Sequence, residues 1–113
     1  MFTTVTAAYG NVNRFLVAAV NFFSYDKGMT IHDRVALLRQ QSGLSAREMG
    51  RLSGLAHSAI TMIEQGKRTP TSETAVQISR LFQVDLNWLL RGIGNHPEEY
   101  EVRLAVDEAR EVE

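Results

Sequence analysis

The side chains of this 113-residue chain that could do chemistry gather in one stretch, "GLAHSAITMIEQGKRT", from 54 to 69. His57, Ser58 and Thr61 offer hydrogen-bond donors and acceptors. Lys67 and Arg68 follow Gly66 as adjacent cations, suited to holding an anion. Catalysis finds less to work with. His32, His57 and His96 lack metal-ligand spacing, and no nucleophile has an adjacent base. "GIGN" at 92–95 lacks the strand, third glycine and helix of a nucleotide loop. No catalytic residue, metal ligand or cofactor is therefore expected, and the chain reads as a non-enzyme.

The elements that must position these groups are short helices. The stretch itself predicts a helix over roughly 57–65 that turns Ile60 and Ile63 inward and ends at Gly66. Before it, Ile31, Val35 and Leu38 fall at i, i+4 and i+7, with Asp33, Arg34, Arg39 and Gln40 on other faces, an amphipathic helix ended by Gly43. Ser45 with Glu48 three residues on predicts a capping box opening a second helix, with Met49 and Leu52 buried and Gly54 as its stop. After Pro70, which blocks helix, Thr71 caps a fourth over about 72–83 that buries Ala75, Ile78 and Phe82. Asp85 caps a fifth, "LNWLLRG", stopped by Gly92. With no alternating strand pattern, the fold class is all-α.

Composition bounds the rest. The length suits one small domain. Without cysteine the fold must rest on hydrophobic packing, as in an ordinary cytosolic protein, so a cytoplasmic location is expected. The net charge of -1 conceals an asymmetry. Residues 29–96 hold eight Arg/Lys and five Asp/Glu, for +3, and residues 97–113 hold two and seven, for -5. A mildly basic middle is compatible with a nucleic-acid surface. The longest apolar run, "FLVAAVNFF" at 15–23, falls short of the roughly 20 residues needed to cross a bilayer. It is not read as a membrane span or a secretory signal.

Together these elements resemble the phage repressor and Cro type of helix-turn-helix regulator, the xenobiotic-response-element (XRE) group. The resemblance runs from 31 to 92 and rests on "GLS" opening the second helix, Gly50 where two helices cross, Gly54 in the turn, Ile60 and Ile63, "IEQGKRTPT", and "NWLLRGIG". It implies a five-helix lambda-repressor-like DNA-binding bundle over 29–94, with short helical appendages at both ends. His57, Ser58, Ala59, Thr61 and Met62 would then read base edges in the major groove. Lys67 and Arg68 would hold phosphates, joined by Thr69 and the start of the second helix, Ser45, Ala46 and Arg47. Arg39 and Glu64 would form the family's salt bridge between the first and third helices, and Gly50 would let the third helix pack closely on the second. Three departures stand out. Ala46 replaces a phosphate-bonding Gln, Ala56 replaces the usual Ser or Thr cap, and Gln83 replaces a glycine in a left-handed turn. The first two imply modest DNA affinity.

The appendages leave alternatives open. Residues 1–28 are either a misassigned translation start or an extra helix, with Phe15, Leu16, Ala19, Phe22 and Phe23 covering a neighbour or pairing subunits. The acidic segment 95–113 predicts a helix with Tyr100 and Leu104 as its regular apolar positions, and Val102, Val106 and Ala109 less regular. That helix is either solvated and frayed or a partner-binding one. The leading functional expectation is a DNA-binding regulator, a repressor dimer on an inverted repeat of double-stranded DNA. Leu86, Trp88, Leu89 and Ile93, or either appendage, are the expected homodimer surface. The alternative is an antitoxin or phage accessory protein that binds a protein partner through 97–113 or 1–28 and autoregulates.

Overall fold

The computed structural model describes residues 29–112. Six helices lie among them: α1 (Ile31–Ser42), α2 (Ala46–Ser53), α3 (His57–Glu64), α4 (Ser72–Phe82), α5 (Leu86–Arg91) and α6 (Glu99–Glu111). The described residues contain no strand, in keeping with the predicted all-α class. The expectations for residues 1–28 lie outside the described residues.

Local chemistry sets most of the boundaries. Thr30 opens α1 with a reciprocal box: its hydroxyl accepts from the Asp33 N–H at 3.3 Å, and its own N–H donates to the Asp33 carboxylate at 3.0 Å. Ser45 and Thr71 accept from the third residue of α2 and α4, and Asp85 accepts from Asn87. Gly43, Gly54 and Gly92 close α1, α2 and α5 in the left-handed region. Gln83 closes α4 at φ 56°, where a side chain costs roughly 1–2 kcal/mol.

One core joins the helices, with Val35, Leu38, Met49, Ile60, Ile63, Phe82 and Trp88 at most 1% exposed. Leu52 packs partly buried at its edge. Arg34, expected on a face of α1 other than its apolar one, is buried all the same. Its guanidinium donates to the carbonyls of Leu89 (2.7 Å), Met29 (2.8 Å) and Leu90 (3.0 Å). It thereby satisfies carbonyls of the last turn of α5, where a cation also suits the negative helix end. Burial lowers its pKa, partly offset by neighbouring Asp33.

Trp88 and Leu89, expected at a dimer surface, are both fully buried in the core and can present nothing to a second subunit. Near α5 the exposed apolar side chains are Leu90 and Ile93. The acidic segment also differs from its predicted pattern. Val102, Ala105 and Val106 face inward, while Tyr100 and Leu104 are more than half exposed. Burying each valine stabilises by at most about 2 kcal/mol, so α6 is a docked helix of the bundle and not a frayed one. It packs on α1 and α4.

Candidate nucleic-acid interface

The geometry of α2 and α3 depends on Gly50. A Cβ built there would lie 2.5 Å from the Leu55 carbonyl oxygen and 3.2 Å from the His57 nitrogen, so only glycine lets the start of α3 come this close. The turn between them is closed by Leu55 N–H donating to the Gly50 carbonyl at 2.8 Å. Ala56 occupies the N-cap of α3 and supplies no side-chain hydrogen bond.

Burial divides α3 into two faces. Ile60 and Ile63 are fully buried, and His57, Ser58, Thr61 and Met62 are exposed, with Ala59 half-buried between them. The Thr61 hydroxyl donates to the His57 carbonyl at 3.1 Å, which leaves its oxygen available as an acceptor. The free face thus carries an imidazole, two hydroxyls, a methyl and a thioether, a mixture able to bond base edges and touch thymine methyls.

A bidentate ion pair ties the end of α3 to α1. Arg39 grips the Glu64 carboxylate with Nε at 2.6 Å and Nη2 at 2.9 Å, and its Nη1 donates to the Leu44 carbonyl at 3.1 Å. The Glu64 bond raises the Arg39 pKa, against the opposing effect of burial. A bidentate pair of this kind fixes orientation as well as distance. The expected contact between α1 and the end of α3 is therefore present. Beyond α3, Lys67 and Arg68 fold back, their N–H groups donating to the Met62 carbonyl at 2.9 and 3.3 Å. Both cations and Thr69 are exposed, directly after α3 in the chain.

The start of α2 is only partly as expected. Ser45 accepts from the Glu48 N–H at 3.0 Å, Ala46 is half-buried against the core, and Arg47 is exposed. The Glu48 carboxylate, predicted to complete a capping box, lies 3.2 Å from Arg110 of α6. Sequence reasoning missed Arg110 and Arg34 alike, because nothing in the periodicity of either helix marks a partner more than fifty positions away.

Two consecutive helices joined by a glycine turn, the second with one buried and one free face, define a helix-turn-helix, whose second helix lies in the DNA major groove. Residues 35–89 match the helix-turn-helix family, and the chain carries a domain of its XRE type. Among curated proteins it is similar to the HTH-type transcriptional regulator PuuR of Escherichia coli (strain K12), 40% identical over 62 residues, 55% of this chain and 34% of that one. It is also similar to the uncharacterized HTH-type transcriptional regulator YqaE of Bacillus subtilis (strain 168), 32% identical over 74 residues, 66% of this chain and 59% of that one. The chain thus spans less than two thirds of the length of either relative. No solved structure matches it. Among the described residues, no helix is long and apolar enough to cross a membrane.

Proposed function

We propose that this protein is a DNA-binding transcriptional regulator, a repressor that acts as a dimer on a short inverted repeat. The observation that carries the reading is the exposed face of α3, flanked at once by Lys67, Arg68 and Thr69 and held to the bundle by Ile60, Ile63 and Glu64. His57, Ser58, Ala59, Thr61 and Met62 read base edges. Lys67, Arg68, Thr69 and the start of α2 hold phosphates and set the register. One such head makes few contacts. Two heads spaced about 34 Å apart, one DNA turn, bring affinity into the range of an operator.

Anisotropy titration of the protein against the fragment upstream of its own gene, with a scrambled control at two salt concentrations, tests this. Preferential, salt-dependent binding to its own fragment is the expected result. Equal weak binding to both fragments would overturn it. A second reading, a protein-binding accessory with autoregulatory DNA binding, draws on Tyr100 and Leu104, exposed apolar side chains four residues apart on the outer face of α6.

A further inference from the structure

Glu48 is the acidic residue in the first turn of α2, the turn assigned above to a DNA phosphate. A carboxylate there suits the helix but repels an approaching phosphate. Its side chain is not left alone. Arg110 Nη2, in the last turn of α6, lies 3.2 Å from Glu48 Oε2 across 62 positions of sequence. The Asp107 carboxylate sits 3.9 Å from the other terminal nitrogen of the same guanidinium. Arg110 lies outside the residues that match the helix-turn-helix family, on a helix the two-helix motif does not require. The pair is about two-fifths exposed on each side, and pairs so exposed add little to folding.

We propose that Arg110 is a positioning residue of the DNA interface. By neutralising Glu48 it leaves the first turn of α2, with the Ser45 hydroxyl and the Arg47 guanidinium, open to a phosphate. Arg110 acts through Glu48 and touches no DNA itself. α6 is then part of the DNA-binding unit, although its own surface is acidic. The inference rests on the DNA-binding reading above.

The test uses the full chain and the fragment that the wild type binds. Arg110→Ala should weaken binding about fivefold at low salt, the effect of one uncancelled charge roughly 4–6 Å from a phosphate, and less at high salt. Adding Glu48→Gln to that variant should restore affinity to within about twofold, and Glu48→Gln alone should bind at least as well as the wild type. Arg110→Lys should keep most of the affinity. Thermal melts run alongside should differ little among the four, as the exposure of the pair implies. Unchanged binding by Arg110→Ala would overturn the proposal. So would a loss that Glu48→Gln fails to restore, which would make Arg110 a direct phosphate contact or a structural tie. Failure of the wild type to prefer its own fragment would instead refute the DNA-binding reading itself.

Discussion

Gly50→Ala adds a single methyl group at the crossing of α2 and α3, and the surroundings leave it no space. The new carbon would sit 2.5 Å from the Leu55 oxygen, 3.2 Å from the His57 nitrogen and 3.4 Å from the His57 Cα. All three are backbone atoms, so no side chain can rotate aside. Reaching an ordinary carbon–oxygen separation requires a retreat of about 0.8 Å by the turn and the first residue of α3. Overpacking of this kind costs about 1–3 kcal/mol, and the better helix propensity of alanine offsets up to about 1 kcal/mol. The net loss, about 1–2 kcal/mol, should lower the melting temperature by roughly 5–10 °C for a domain of this size. The same displacement moves His57 and Ser58 at the exposed start of α3, the residues proposed above to face the groove. Loss of even one base contact weakens binding about tenfold. Circular-dichroism melts and anisotropy titration on one preparation read both effects. A variant that melts at or above the wild type, with unchanged DNA affinity, would refute the argument that only glycine fits the crossing.

Four further expectations can be checked by the same two assays. Arg34→Met keeps the aliphatic volume but abandons the carbonyls of Met29, Leu89 and Leu90, and should destabilise by about 2 kcal/mol; an unchanged melt would mean that the bonds merely offset the desolvation of the cation. Ala56→Ser supplies the side-chain cap that α3 lacks and should stabilise by about 1 kcal/mol. Gln83→Gly removes a side chain from the left-handed position at φ 56° and should raise stability by up to about 1 kcal/mol, the greater freedom of the unfolded glycine taking back part of the gain. Comparing His57→Ala with Lys67→Ala separates readout from clamping: the first should weaken binding selectively at one base position, and the second should weaken all sequences alike and flatten the salt slope by about one. Uniform losses for both would sink that division of roles.

What the sequence by itself determined is the part of the structure written in short-range chemistry. A cap such as Ser45, Thr71 or Asp85 works through a hydrogen bond two or three residues on, and a left-handed stop such as Gly54 is a property of one residue. The inward and outward faces of α3 follow from a period of 3.6 residues, so Ile60 and Ile63 could be set against His57, Ser58 and Thr61 before any packing was known. Periodicity says which side of a helix is apolar, but not what that side meets. Nothing in the sequence of α5 separates a core position from a dimer surface for Trp88 and Leu89. They are buried because α5 packs on α1 and α4. In α6, Tyr100 and Leu104 are the expected regular apolar pair, yet Val102 and Val106 lie four residues apart as well, and only docking on α1 and α4 decides which pair is inside. The same holds for charge. Arg34 is buried because carbonyls 55 and 56 positions away receive it, and Glu48 turns from its own cap to Arg110, 62 positions on. Contacts at that separation depend on how the helices are stacked, and the residues on either side carry no local trace of them.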